Sequence, residues 1–206
     1  MKNPTDTEIE VKFFIHNLSA IQQRLEQLGA ELVQERILET NLRFDLPNQS
    51  LTRDKRVLRL RKDQQNILTY KGPGLPDQPV MIRQEIEVVV DDFNTTRRIL
   101  EALGYQVYAM YEKYRCTYRL GSLLVTLDEL PHGNFIEIEG QDAAGIQACA
   151  EQLNLRWSAR VTTSYLYLFE LLQEIHPDIA RKNLCFAELT GIPLDMRELD
   201  ILPADE

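Results

Sequence analysis

The chain has 206 residues, of which 44% are hydrophobic and 27% are charged, a composition typical of a globular protein with a sizeable core. Its formal net charge of −9 and its pI of about 5.0 disfavour a nucleic-acid partner. The cysteines are three and widely spaced, which predicts neither a metal site nor a disulfide framework. The N-terminus is polar and no apolar run approaches the roughly 20 residues of a membrane span, so we expect a cytoplasmic protein without a membrane partner.

Hydrophobic periodicity predicts an alternation of strands and helices along most of the chain. Strands are predicted at 7–15, 32–46, 55–62, 66–71, 82–90, 105–119, 122–130 and 135–139, and helices at 17–29, 93–103, 142–153 and roughly 161–175. Leu28-Gly29 and Leu103-Gly104 end two of the helices alike, a weak internal repeat that suggests two similar halves of a sheet.

Two regions of unequal size follow from this reading. Residues 1–175 are predicted to form one α+β domain. Residues 176–206 contain three prolines and are too few for a domain. We expect a helical or irregular appendage that packs on the body or on a second subunit.

The segment Glu8-Ile9-Glu10-Val11-Lys12 carries charge at every second position. Strand side chains alternate between two faces, so its charged residues point one way and its apolar residues the other. The same parity recurs in the other predicted strands. The polar set is Glu8, Glu10, Lys12, Asn41, Arg43, Asp45, Arg59, Arg61, Thr69, Lys71, Arg83, Glu85, Glu87, Lys113, Arg115, Arg119, Thr126, Asp128, Glu137 and Glu139.

One strand of this kind is the ordinary solvent face of an antiparallel sheet. Eight segments with the same bias, in which like charges neighbour each other, favour another arrangement. We predict a closed antiparallel β-barrel with a charged lumen and with helices packed on its apolar outside. Neighbouring carboxylates such as Glu137 and Glu139 then require a bound cation or interleaved bases, because like charges repel strongly away from bulk water.

Clustered carboxylates beside clustered Arg and Lys residues favour one ligand type, a polyanion bridged by a divalent metal. Carboxylates hold Mg²⁺ through hard oxygens, and phosphate oxygens and water complete its shell. Guanidinium groups bind phosphate oxygens bidentately, and lysines supply point charges. This combination can position and neutralise a phosphoryl group in transfer.

The motifs resemble those of the CYTH superfamily, which joins class IV adenylyl cyclases, thiamine triphosphatases and inorganic triphosphatases on the triphosphate tunnel fold. The resemblance covers about residues 7–170 and is nearest to the bacterial and archaeal cyclase-like branch. It begins with Glu8-x-Glu10-x-Lys12, similar to the family's ExExK. In family order there follow Leu58-Arg59-Leu60-Arg61, Thr69-Tyr70-Lys71-Gly72-Pro73-Gly74, Arg83-Gln84-Glu85-Ile86-Glu87, Leu103-Gly104-Tyr105, Glu112-Lys113-Tyr114-Arg115, Leu127-Asp128-Glu129 and Phe135-Ile136-Glu137-Ile138-Glu139.

The resemblance implies roles for individual residues and a Mg²⁺ or Mn²⁺ cofactor. Lys12 and Glu10 would be catalytic, with Lys12 placed near the metal-bound nucleophile, and Glu85 and Glu87 would orient bases. The implied metal ligands are Glu8, Glu10, Asp128, Glu137 and Glu139. The implied triphosphate-binding residues are Lys12, Arg43, Arg59, Arg61, Lys71, Arg83, Lys113 and Arg115.

Two departures from the family bear on substrate. Characterised cyclases carry a His-Phe pair shortly before ExExK, and residues 3–7 here contain neither, which weakens cyclase activity. Thiamine triphosphatases place a Tyr where this chain has Arg43, which weakens thiamine specificity and adds a positive charge.

Three functions therefore stay open. The first is a metal-dependent hydrolase of inorganic, nucleoside or other organic triphosphates. The second is an adenylyl cyclase that forms cyclic AMP and pyrophosphate, and the third is a non-catalytic polyphosphate or nucleotide-binding module. The expected partner is a triphosphate-bearing small molecule, and a homodimer is compatible with the family.

Other features predict only ordinary structure. Gly72-Pro73-Gly74 lacks the Lys-Ser/Thr of a phosphate loop and is read as a loop at the tunnel mouth. His16, His132 and His176 are expected at the surface. Trp157 and the Tyr165/Tyr167/Phe169 alternation are expected to pack rather than to stack on a base.

Overall fold

A computed structural model describes residues 6–206. The polar N-terminal residues 1–5, which include part of the segment 3–7 that lacks the His-Phe pair of cyclases, lie outside the described residues. The strands are β1 (Thr7–Ile15), β2 (Glu31–Asp45), β3 (Val57–Lys62), β4 (Asn66–Lys71), β5 (Met81–Val90), β6 (Gln106–Leu120), β7 (Leu123–Leu130), β8 (Gly133–Glu139) and β9 (Arg160–Val161). The helices are α1 (Leu18–Gln27), α2 (Ser50–Arg53), α3 (Phe93–Ala102), α4 (Ala143–Gln152), α5 (Tyr165–Ile175) and α6 (Phe186–Leu189). The predicted α+β class is confirmed.

All these strands belong to one antiparallel sheet in the order β5-β4-β3-β2-β6-β7-β8-β1-β9. β1 pairs with β8 from Glu10 to Ile15. Its first residues, Thr7–Glu10, also pair with Met81–Gln84 of β5. β5 therefore pairs with β4 along one edge and with β1 along the other.

The apolar face of the sheet is covered by helices, as its alternation predicts. α1 and α4 pack on β1, β7 and β8, where Leu25, Ile146, Phe13, Ile136 and Ile138 are fully buried. α3 covers β2 and β3 through Leu100, which lies in a cluster with Leu42, Phe44 and Leu60. Each such side chain contributes roughly 1.5–3 kcal/mol when it leaves water, so these contacts hold the strands in register.

Helix starts follow from capping residues in the sequence. The side chains of Asn17, Asp92, Asp142 and Ser164 each accept a backbone N–H in the first turn of the following helix. The Ser164 cap places the start of α5 at Tyr165, later than the predicted start near 161. The residues before it form β9 instead, which pairs with Lys12 and Phe13.

One further element boundary differs from the sequence prediction. The strand predicted at 55–62 begins at Val57, because α2 and a turn through Lys55, whose φ is 55°, precede it. The helix α2 was not predicted. The carboxylate of Asp45 accepts the backbone N–H groups of Leu51 and Thr52 and the Thr52 hydroxyl, and so holds its first turn.

The C-terminal segment 176–206 packs on the body of the same chain. Leu184 donates its N–H to the Met110 carbonyl and accepts the Glu112 N–H, so it occupies an edge of β6. Further along, the Asp205 carboxylate accepts the N–H groups of His16 and Asn17. The predicted division of the chain at residue 175 stays a prediction. Within residues 6–206, no helix combines the length and hydrophobicity required to cross a membrane.

Candidate active site

Most of the predicted basic and acidic residues lie on one face of the sheet, which is called the interior here. Several of them are buried although they carry charge: Glu8, Glu10, Lys12, Lys71, Glu85, Lys113 and Asp128. Charged side chains are almost never buried unless they are paired. The geometry of those pairs divides the interior into three groups.

The first group lies where β1, β4 and β5 meet. Lys71 Nζ is 2.7 Å from Glu8 Oε1 and 3.2 Å from Glu85 Oε1. Arg83 donates from Nε to Glu8 at 2.8 Å and from Nη2 to Glu10 at 3.1 Å. Arg83 thus bridges two neighbouring carboxylates on β1. Burial opposes ionisation of Glu8, but Lys71 and Arg83 outweigh it and lower the Glu8 pKa.

The second group joins β1, β6, β7 and β8. Lys12 Nζ lies 2.8 Å from Glu137 Oε1, and Arg115 contacts both Glu137 and Asp128. Lys113 Nζ donates to Asp128 Oδ2 at 3.0 Å. Burial alone would lower the Lys12 pKa, but the charges of Glu137 and Glu10 raise it, so Lys12 stays protonated. Lys12, Arg115 and Lys113 overcome burial and hold the Glu137 pKa well below its ordinary value.

Tyr165, the first residue of α5, reaches into this second group. Its hydroxyl donates to Asp128 Oδ2 at 2.8 Å, and Lys12 Nζ lies 4.5 Å from the centre of its ring. Burial and the Asp128 charge raise the Tyr165 pKa well above its ordinary value, so it remains a donor. The expectation that Tyr165 only packs was incomplete, because the strand pattern holds no information about a side chain that enters from a helix.

The third group lies on β2, β3, β4 and β5, beside Lys113 of β6. Arg59 is 3.5 Å from Glu87, and Thr69 donates its hydroxyl to Glu87 at 2.9 Å. Glu39 lies 3.8 Å from Arg61 and 3.6 Å from Lys113. Burial would raise the Glu39 pKa, but Lys113, Arg115 and Arg61 lower it to about 2. Glu39 was missed by the sequence reading, although the two-residue period extends to it from Asn41.

Arg43 differs from the other interior bases. It faces Arg59 across the β2–β3 pair, and its buried Nε has no hydrogen-bond partner within residues 6–206. Burial and the nearby Arg59 lower its pKa. The buried Tyr111, a second residue that the sequence reading missed, faces the same interior. Burial raises the Tyr111 pKa, but Arg59 and Lys113 outweigh this and lower it. This wall of the interior therefore concentrates positive charge around Arg43 and Arg59; it is called the positive wall below.

The predicted metal ligands are only partly brought together. Glu10 lies directly opposite Glu139 in the β1–β8 pair, a position in which Cβ atoms are about 5 Å apart. Asp128 and Glu137 contact Lys and Arg side chains, Glu8 contacts Lys71 and Arg83, and Glu10 also accepts a hydrogen bond from Arg83. Across residues 6–206, no group of three or more His, Cys, Asp or Glu residues is assembled to hold a metal ion. The facing pair of Glu10 and Glu139 still has the donor chemistry that fits a hard divalent cation.

Three residues lie where the sequence did not expect them. Asp45 was assigned to the charged face but caps α2, and Arg119, assigned to the same face, is exposed. His132 was expected at the surface, yet it is 1% exposed and packs against Phe135 and Tyr165.

Comparison with known proteins identifies the family of this fold and site. The model of the CYTH domain matches residues 6–160. The chain belongs to the CYTH domain family. A relative from Methanocaldococcus jannaschii, named "Putative adenylate cyclase", is 28% identical over 134 residues, which cover 64% of this chain and 75% of that protein.

Solved structures of CYTH-like proteins share the architecture. One from Vibrio parahaemolyticus, described as a putative adenylate cyclase, has a TM-score of 0.73 and 24% identity over 80% of this chain and 98% of its own. Another, a putative adenylyl cyclase from Hippeastrum described as having a dominant triphosphatase activity, has a TM-score of 0.59 and 19% identity, and covers 80% and 95% of the two chains. At these identities the likeness concerns the fold.

Proposed function

We propose that this CYTH protein is a metal-dependent enzyme that hydrolyses triphosphates, whether inorganic, nucleoside or other organic. The observation that carries the proposal is the concentration of bases on one wall of the interior, where Arg43 lies opposite Arg59 and its buried Nε has no hydrogen-bond partner within residues 6–206. A buried N–H donor without a hydrogen-bond partner is costly. A phosphate oxygen of a polyanion that enters the interior supplies that partner.

The sheet serves as a tunnel in this proposal. The pairing of β1 with both β5 and β8 supports a closed barrel, because it leaves no gap in the ring of eight long strands. A closed, water-poor interior strengthens every charge interaction within it. In this proposal the apolar outer face and the helices packed on it stabilise the barrel and do not contact the substrate.

The bases bind and neutralise the phosphate chain. Arg43, Arg59 and Arg61 offer guanidinium donors to phosphate oxygens, which they can bind bidentately. Lys12 stays protonated between Glu137 and Glu10 and holds its charge next to the acidic strands. Lys113 and Arg115 of β6 lie between Glu39 of β2 and Asp128 of β7, and so connect the positive wall to the acidic strands.

Mg²⁺ or Mn²⁺ would be held by Glu10 and Glu139, with Glu137 as a neighbour on the same strand face. A divalent cation there supplies a Lewis acid that polarises a phosphoryl group and lowers the pKa of bound water. Glu8 and Asp128, which the family resemblance implies as ligands, instead orient bases in the geometry described above.

The test incubates the protein with inorganic triphosphate, ATP or thiamine triphosphate in the presence of Mg²⁺ or Mn²⁺, and measures the release of orthophosphate. We expect orthophosphate from at least one triphosphate, and no turnover in the presence of EDTA. Binding of triphosphates without any turnover would contradict the proposal that the protein is an enzyme and would favour a non-catalytic binding module.

A second candidate is adenylyl cyclase, which the names of the relatives favour. The same bases would bind the phosphates of ATP, while the ribose hydroxyl attacks the phosphorus nearest the nucleoside. The products decide between the two reactions. Cyclic AMP with pyrophosphate indicates the cyclase, and orthophosphate indicates the hydrolase.

A further inference from the structure

We propose that Asn41, on the interior face of β2, is a substrate-binding residue whose side-chain amide donates a hydrogen bond to a phosphate oxygen of the triphosphate. The inference rests on the proposed function and adds to it a neutral phosphate contact among the bases.

Asn41 is buried in an unusual state. Its exposure is 0%, and neither Oδ1 nor Nδ2 has a hydrogen-bond partner within the described residues 6–206. Buried amides in native proteins are nearly always hydrogen-bonded, because an unpaired one loses its contacts to water without replacement. The fold therefore gains nothing from the polarity of this side chain, which points to a ligand as its missing partner.

The position of Asn41 indicates which ligand. It lies opposite Arg61 on β3 and opposite Tyr111 on β6. Arg43 is two residues further along the same face of β2. The amide thus lies beside Arg43 and Arg61 of the positive wall, whose buried Nε atoms also lack hydrogen-bond partners within residues 6–206. A phosphate oxygen satisfies the amide and the neighbouring guanidinium groups together.

A neutral donor has a definite advantage at this point. Arg43 and Arg59 already face each other at close range, and a further cation would repel both. The amide adds a hydrogen bond without adding charge. Its Oδ1 repels phosphate oxygens and can accept from a guanidinium, so the group also sets the orientation of the phosphate that it contacts.

The test compares Asn41→Leu, Asn41→Asp and the surface control Asn94→Leu on α3. Binding of inorganic tripolyphosphate is measured by calorimetry in EDTA, and the melting temperature is measured without ligand. We expect Asn41→Leu to melt at or above the wild-type temperature and to bind tripolyphosphate about tenfold more weakly. Asn41→Asp, which keeps the shape and adds a negative charge, binds more weakly still, and Asn94→Leu binds as the wild type does.

Kinetics give a second readout that a structural role would not produce. We expect Asn41→Leu to raise KM with little change in kcat, since the contact is made in the ground state as well as in the transition state. Unchanged tripolyphosphate binding in both Asn41 variants, or a lower melting temperature with binding retained, overturns the inference alone. If the wild type binds only ATP, or binds only with Mg²⁺, the variants are compared under that condition. A wild-type protein that binds neither tripolyphosphate nor ATP, in EDTA or with Mg²⁺, overturns the proposed function and this inference with it.

Discussion

Interior carboxylates at neighbouring positions are tolerated because bases lie between them. Arg83 contacts both Glu8 and Glu10, and Lys12 contacts Glu137. Each residue of an ion pair keeps the other charged. Accordingly, Lys12 lowers the pKa of Glu137, and Glu137 raises the pKa of Lys12. The residues with the fewest partners, Arg43 and Asn41, are those that a substrate would complete.

The facing pair of Glu10 and Glu139 gives a prediction at this scale. Glu10→Gln and Glu139→Gln should each lower triphosphate turnover by about 100-fold, because in the proposed site each removes a charged ligand of the metal. Activity is measured over a Mg²⁺ titration, and part of the loss should be recovered at high Mg²⁺. The control is Glu35→Gln, an exposed position on β2. Full activity in both interior variants would show that the metal assignment is wrong.

Arg59 gives a second prediction. Arg59→Ala should raise KM for a triphosphate by about 10- to 100-fold, which is the cost of losing charged hydrogen bonds to phosphate. The value of kcat should change much less, because the contact is made before chemistry begins. Lys62→Ala, an exposed base at the end of the same strand, is the matched control. An unchanged KM in Arg59→Ala would place the phosphate chain elsewhere.

Secondary-structure elements outside the sheet also contribute to the interior. α5 enters it through Tyr165, and the C-terminal segment lies on β6 through Leu184. Both elements belong to one apolar cluster with Phe135 and Leu172. The tail thus supports the helix that supplies an interior hydrogen bond.

Tyr165→Phe tests this connection between helix and sheet. It removes the hydroxyl that donates to Asp128 and should lower the free energy of unfolding by about 1–2 kcal/mol. The loss is limited because Lys113 and Arg115 still contact the same carboxylate. Urea denaturation measures it, with Tyr167→Phe, a half-exposed residue of the same helix, as control. Equal stability of the two variants would mean that the hydrogen bond adds nothing to the fold.

The pH dependence of stability belongs to the molecule as a whole. His132 lies in the apolar cluster, its ring nitrogens have no partner within residues 6–206, and burial lowers its pKa to about 3. The unfolded chain binds a proton near the ordinary pKa of 6.5 and the folded chain does not. The contribution of neutral His132 to the free energy of unfolding is therefore fully present above pH 6.5 and is lost as the pH falls toward 3.

His132 alone should cost about 2 kcal/mol of stability between pH 7.5 and pH 5. The Glu39 pKa, which nearby bases lower to about 2, places the effect of that carboxylate at lower pH. We expect His132→Phe to reduce the loss in this window, as measured by urea denaturation at both pH values. The control is His16→Gln, at an exposed position. The same pH dependence in His132→Phe and wild type would assign the effect to other groups.

Much of the architecture could be predicted because strand alternation is a local property of the chain. The two-residue period of β1, β3 and β5 identified their charged and apolar faces before any neighbour was known. The period was not followed far enough in β2 and β6, where Glu39 and Tyr111 continue it. Asp45 broke the rule because it lies at a strand end, where a side chain can turn to cap the next helix.

The sequence by itself determined which side chains share a face, since that depends only on their spacing along a strand. It could not determine which of them meet, because partners in the ion pairs lie on strands that are far apart in the chain. Lys71 and Glu8 are an example, and Tyr165 and Asp128 are another. Only the tertiary structure decided that Arg83 lies between two carboxylates and that, in the described part of the chain, the Arg43 Nε and the Asn41 amide lack hydrogen-bond partners, because strand order and helix placement select the contacts of each side chain.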